Sequence, residues 1–235
     1  WHDLYLDVVA LPDGHGDWPV IVAILAAVTM TVGNVFALLQ RSAKRLLAYS
    51  SVAQAGYLLV GVAAAGSDAL AVSGLLLYLI VYLFMNLGAF LAVDAIERLV
   101  GTDDIEAFGG LIRVMPAAGL ALTLAVLSLA GIPPLGGFVG KTMLFGAALG
   151  VGWTWLAVTM ALNVVLSLFY YLRLLQPMYF RPRVAAADAR IAGGLRLALV
   201  LLSIGTVVTG VLPGPWVDLA EQSATLLAAG PLAGR

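Results

Sequence analysis

The chain of 235 residues contains no cysteine. Disulfides, thiolate-bound iron–sulfur clusters and cysteine zinc sites are therefore excluded from it. Histidine is nearly absent: His2 and His15 are the only two, both in the polar opening stretch. That excludes a haem held between two intramembrane histidines. Charge is scarce as well, with Asp, Glu, Lys and Arg at 11% against about 25% in a soluble domain. No basic patch stands out from the loops, so nucleic acid is not an expected partner.

Apolar residues fill the space that charge leaves. They make up 62% of the chain, and the mean hydropathy is +1.03. The runs are long and continuous rather than short and alternating. The expected class is an all-α polytopic membrane protein, not a β-barrel. The opening WHDLYLD has neither an initiator Met nor a signal-peptide pattern, and reads as the continuation of a longer protein. Residues 1–18 form a polar lead-in and loop. Asp3, Asp7, Asp13 and Asp17 accompany the histidines there, but their spacing matches no metal motif.

Six spans are expected, at 19–40, about 44–66, about 69–93 with apolar character running on to Val100, 114–150, about 152–175 and about 193–212. The fourth is too long. As one straight helix it would measure roughly 55 Å against a hydrocarbon core of about 30 Å. Its middle carries the break: Pro133 and Pro134 cannot donate backbone hydrogen bonds, and Gly131, Gly136 and Gly137 loosen the chain around them. Lys141 follows, the one charge between Arg113 and Arg173. An ammonium at bilayer depth costs about 2.5–3.5 kcal/mol even on a lenient insertion scale. A broken helix beside an ionisable group is the pattern of an ion site in a secondary transporter. The competing reading is a lysine that snorkels to the interface. GGFVGKT resembles a phosphate-binding loop, but Leu135 stands at the first required glycine and no strand precedes it.

Basic residues give the orientation. Arg41, Lys44 and Arg45 separate spans one and two. Arg98 and Arg113 separate three and four, and Arg173, Arg181, Arg183, Arg190 and Arg196 separate five and six. The alternate loops have none. Only Lys141 and Arg235 stand apart, so the basic side is expected to be cytoplasmic and the C-terminus outside. Residues 181–235 hold a cytoplasmic loop, the last span and a tail. In that tail Trp216, Leu219, Ala220, Leu226 and Leu227 fall roughly on one face, as in a short interfacial helix.

Polar side chains within the spans recur at helical spacing. Ser50, Gln54 and Tyr57 form one stripe, Tyr78, Tyr82 and Asn86 a second, and Asn163, Ser167 and Tyr170 a third. Interhelical hydrogen bonding explains each stripe singly. Three of them beside a buried lysine point to a hydrated proton path. Lys44 reads either as part of that path or as an ordinary positive-inside anchor.

Four stretches carry a specific resemblance: AKRLLAYSSVAQAGYLL (43–59), YLFMNLGAF (82–90), IEAFGGL (105–111) and AGIPPLGGFVGKTMLF (130–145). Together they resemble the antiporter-like, proton-pumping membrane subunits of respiratory complex I, NADH:quinone oxidoreductase. NLGAF points to the subunit N type (the mitochondrial ND-two type) in its C-terminal half. The resemblance implies a five-helix antiporter-like repeat over 19–180 with its broken helix at 114–150. It implies that Lys141 carries protons through a half-channel and that Lys44 serves the cytoplasmic connection. NADH, FMN, iron–sulfur clusters and quinone would belong to other subunits, leaving no cofactor, metal or redox site in this chain. The implied partners are the other membrane subunits, lipid and protons, in the cytoplasmic membrane of a bacterium. Two alternatives stay open: a subunit of a multisubunit sodium/proton antiporter, and a non-transporting structural subunit of the membrane arm.

Overall fold

The computed structural model describes residues 18–66, 69–182 and 192–229. His2, His15, the opening aspartates, Arg183, Arg190 and Arg235 lie outside them, as does the side chain of Leu227. The described residues are helical, without a named strand. Helix α1 runs Trp18–Leu38, α2 Ala43–Ala64 and α3 Ala69–Val100. A 3-10 turn at Ile105–Phe108 and a single turn at Leu111–Val114 lead into α4 (Pro116–Ala130) and α5 (Gly136–Gly150). Then come α6 (Thr154–Phe180), α7 (Gly193–Val211) and α8 (Gly214–Ala229).

Helices α1, α2, α3, α6 and α7 are long and apolar enough to cross a bilayer. The remaining crossing is divided between α4 and α5, 15 residues each. Each half measures about 22 Å, short of a hydrocarbon core of about 30 Å, so neither spans alone. The protein is a multi-pass membrane protein with one discontinuous helix.

Several ends differ from the sequence reading. Helix α1 stops at Leu38, before 40. Helix α3 takes the longer of its two expected ends, Val100, and its last turns carry Asp94, Glu97 and Arg98 into the polar end. The broken segment does not start as a helix at 114. Met115 interrupts the chain, and Pro116 opens α4 at a position where a missing N–H goes unneeded. Helix α6 runs on to Phe180 with Pro177 inside it. The Pro177 carbonyl accepts from both Gly110 N (3.1 Å) and Arg181 N (3.2 Å), which holds this last turn in place.

Helix α1 lies very close to α2 because glycines face across the contact. A Cβ on Gly33 would come within 2.5 Å of Ala53 N, and one on Gly56 would meet Met30 at the same distance. Small residues at such crossings let backbones approach where lipid offers no hydrophobic drive. Outward, α1 exposes Ile21, Ile24, Val28 and Val35, and α6 exposes Val158, Leu162, Val165 and Phe169. These stripes are apolar outer surface.

The tail helix needs a correction. Its apolar residues do not share one face: Ala220 and Ala224 are buried where α8 packs on α3, while Leu219 and Leu226 are exposed. The small alanines, spaced four apart, make the protein contact, and the leucines turn away from it.

The basic loops meet at one end of the bundle. Ala43 N donates to Asp103 O (2.8 Å) and Ile105 N to Arg41 O (3.0 Å). Arg181 pairs with Glu106, and Lys44 with Glu97. The α1–α2 turn, the 101–110 segment and the end of α6 thus form one polar cap.

Candidate functional site

The site grows from how α4 ends. Gly131 adopts the left-handed conformation (φ 82°). Its N–H donates to Ser128 O (2.9 Å), and Ile132 N–H donates to Leu127 O (3.0 Å), the paired closure of a Schellman motif. In a continuing helix the next two carbonyls, of Leu129 and Ala130, would accept from residues 133 and 134. Both are proline and have no N–H to give. An orphaned carbonyl at membrane depth needs another donor.

Lys141 supplies it. It lies one turn into α5 and is only 5% exposed. Its Nζ donates to Leu129 O at 2.6 Å. The charge also sits 4.6 Å from the centroid of the Tyr57 ring, an attractive position over an aromatic face. Leu129 O belongs to the last turn of α4, the negative end of that helix dipole. No carboxylate pairs with Lys141 among the described residues. The side chain turns inward to the break and does not reach for an interface. Gly137 makes this approach of α5 to α4 possible. Its N–H donates to Ser128 Oγ (3.0 Å), and an added Cβ would run into the Ser128 carbonyl.

Gln54 is the second donor to Leu129 O, at 3.2 Å. Its Nε2 also reaches the Tyr171 hydroxyl (3.2 Å), and its Oε1 accepts from Tyr78. Tyr171 in turn bonds Ser50. Five buried side chains from α2, α3, α5 and α6 therefore meet through one carbonyl and one carboxamide. The rings of Tyr170 and Tyr171 lie 4.4 Å apart. Tyr170 donates to Asn34 Oδ1 (2.8 Å), Asn34 Nδ2 donates to Asn163 Oδ1 (2.9 Å), and Asn163 Nδ2 donates to Thr31 Oγ1 (3.1 Å). The Tyr57 hydroxyl is buried and makes no hydrogen bond to the described residues. A cavity of about 230 Å³ opens beside Lys141 between Phe138, Phe145 and Met160.

The structure thus brings together Lys141, Gln54, Tyr57, Tyr78 and Ser50, with Asn163 and Tyr170 alongside. It leaves other members of the stripes apart. Ser167 bonds back to Val164 O of its own helix. Asn86 accepts from Ser51 (3.3 Å), and Tyr82 is half-buried. Lys44 is a different case, 41% exposed at the polar cap and paired with Glu97 and Asp94 (3.7 Å). Four residues of the network were not singled out by spacing: Asn34, Tyr171, Thr31 and Ser128. Asn34 had a signal, as a carboxamide within the apolar run TVGNVFALL.

Residues 5–167 match the family described as "NADH:quinone oxidoreductase/Mrp antiporter, TM". NADH-quinone oxidoreductase subunit N of Heliobacterium modesticaldum is 40% identical over 95% of this chain and 47% of its own length. F(420)H(2) dehydrogenase subunit N of Methanosarcina mazei is 41% identical over 94% of this chain and 46% of its length. The chain spans about half the length of the curated relatives it matches. Among solved structures, a chain of respiratory complex I from Thermus thermophilus with bound aureothin superposes with a TM-score of 0.74 at 35% identity, covering 85% of this chain and 45% of that one. A chain of the Mrp complex from Dietzia superposes at 0.81 with 23% identity, covering 89% and 47%, and shares the fold.

Proposed function

Because this chain belongs to the NADH:quinone oxidoreductase/Mrp antiporter transmembrane family, we propose that it is a proton-translocating part of a complex I subunit N, working through a half-channel centred on Lys141. The observation that carries this reading is the lysine itself. Its ammonium is buried at a helix break and held by neutral groups, Leu129 O and the Tyr57 face. A permanent carboxylate partner would fix the charge. Neutral partners stabilise the ammonium modestly and leave the amine tolerable, so the group can load and release a proton as water reaches it. Gln54, Tyr78, Tyr171 and Ser50 line one approach, and Tyr57 with the Tyr170–Asn34–Asn163 group lines another. Lys44 and its acidic partners stand at the polar cap, in the role of a cytoplasmic connection.

Redox chemistry belongs to other subunits on this reading, with NADH, FMN, iron–sulfur clusters and quinone held there. One relative is named for F(420)H(2) and another for NADH, at nearly equal identity. A segment so similar across two electron donors fits a translocation role better than a donor site. The partners are then the other membrane subunits of the complex and lipid, in a bacterial cytoplasmic membrane with the polar cap inside. The Mrp likeness in fold keeps a sodium/proton antiporter subunit as the second reading. Sodium-dependent transport by reconstituted protein would favour that one.

The test is Lys141→Ala in the assembled complex, in inverted membrane vesicles, with assembly checked by native gel. The expected result is joint loss of proton uptake and donor oxidation, each by about tenfold or more, which is what about 1.4 kcal/mol on the limiting barrier produces. Normal assembly with normal pumping would remove Lys141 from the path.

A further inference from the structure

The polar cap contains a second cavity, of about 350 Å³, far from the lysine in chemical character. Gln40 and Arg41 of the α1–α2 turn form one wall, Asp104, Ile105 and Glu106 another, and Arg173 of α6 its base. The walls are tied together. Ile105 N bonds Arg41 O (3.0 Å), and Arg173 donates from Nη1 to Leu38 O (2.8 Å) and from Nη2 to Gln40 O (2.5 Å). Arg173 thereby caps the carbonyl end of α1, where a cation is favoured.

The charges lining this cavity are unevenly engaged. The carboxylates turn to groups other than these arginines: Asp104 Oδ1 accepts from Glu106 N (2.9 Å), and Glu106 pairs with Arg181. The guanidiniums keep free donors. Arg173 Nε is buried with no hydrogen-bond partner among the described residues. Arg41 is exposed and forms no ion pair with them. A buried N–H left unmade costs about 1–3 kcal/mol, more on a charged group. The cavity therefore leaves guanidinium donors of Arg41 and Arg173 open to a further anionic acceptor.

The geometry points to a binding site for the phosphate of an anionic phospholipid, held between Arg41 and Arg173. Depth selects the lipid as the source. Helix α1 has 21 residues, about 31 Å, which matches a hydrocarbon core of about 30 Å. Gln40 and Arg41 follow it directly and so stand at headgroup level, where the exposed apolar stripe of α1 would lie along the acyl chains. Basic pockets between helices at the cytoplasmic face suit such headgroups. The lipid would close the seam among α1, α6 and the 104–106 turn, one end of the two helices that carry Asn34, Asn163 and Tyr170. This site stands independently of whether Lys141 carries protons.

The test uses the protein purified in its native membrane assembly and rebuilt into nanodiscs of three kinds: phosphatidylcholine alone, phosphatidylcholine with phosphatidylglycerol, and phosphatidylcholine with added inorganic phosphate. Lipid retained on gentle detergent extraction is counted by native mass spectrometry, and thermal stability is followed alongside. Arg41→Gln is the probe because its side chain makes no bond within the described fold. Arg113→Gln, an exposed basic residue outside the cavity, is the control. Phosphatidylglycerol should be retained and should raise stability in the unaltered protein and in Arg113→Gln. Arg41→Gln should lose about tenfold in phosphatidylglycerol affinity, as loss of one charge-assisted contact implies. Equal retention by both variants would overturn the site. Equal stabilisation by inorganic phosphate alone, lost in Arg41→Gln, would overturn the lipid source.

Discussion

Two lysines on the same side of the chain's chemistry live in opposite surroundings. Lys44 opens α2 at the polar cap, 41% exposed, with Glu97 and Asp94 beside it. Lys141 lies one turn into α5 beside the helix break, 5% exposed, with a backbone carbonyl and an aromatic face. An ammonium with two carboxylates in partial contact with water stays charged, and its pairing contributes little to stability. An ammonium in a buried pocket without a counter-ion depends on neighbours that cannot hold its charge firmly. The two lysines differ in burial and in counter-ion together, and the two prolines set the second difference by leaving the Leu129 carbonyl without its helical donor, free to accept from Lys141.

The largest effect should come from Gly137→Ala. The added methyl would strike the Ser128 carbonyl and force α5 away from α4. The expected outcome is loss of assembly, or at least about 2–3 kcal/mol of destabilisation from overpacking, read as reduced yield on a native gel. If Gly137→Ala assembled normally, Lys141 would not need so close an approach to Leu129, and the contrast would weaken.

Gln54→Leu comes next. It leaves Tyr78 and Tyr171 without their shared partner and Lys141 as the sole side-chain donor to Leu129 O. The complex should assemble, with proton uptake falling severalfold, because buried polar groups left unpaired cost about 1–3 kcal/mol. Unchanged uptake would show that this group is packing alone. Pro133→Ala should act on the same carbonyl from the other side. It restores an N–H that competes with Lys141 for Leu129 O, and a transport loss smaller than that of Lys141→Ala is expected. The smallest effect belongs to Arg98→Ala at the polar cap. Its Asp94 contact (2.8 Å) is an exposed pair, so thermal stability should change by less than about 1 kcal/mol.

Much of the frame was legible in the chain. The proline–glycine cluster marked the break, continuous apolar runs marked the crossings, and Lys141 stood out as a lone charge in an apolar span. What Lys141 bonds to was not legible, because a backbone carbonyl has no identity in a sequence. The clue was the spacing of Leu129 to Pro133, four residues, which removes the donor that carbonyl would have had. Tyr171 and Asn34 escaped for another reason. The stripes follow one face of one helix, while these two act across helices, through the α1–α2 glycine contact and the inward turn of α6. The tail residues grouped on one face divide between two surfaces: Ala220 packs on α3, while Leu219 and Leu226 stay exposed. In α8 the alanines are buried, since only small residues let it lie close to α3.

The most direct measurement compares Lys141→Met with Lys44→Met, side by side, in inverted vesicles of assembled complex. Methionine keeps the length of the side chain and removes the charge. Proton uptake and donor oxidation are recorded together. Lys141→Met should lose both by about tenfold or more, and Lys44→Met should slow them less than twofold to threefold. Equal losses in the two, or a larger loss at Lys44, would contradict the claim that the unpaired buried lysine is the proton carrier.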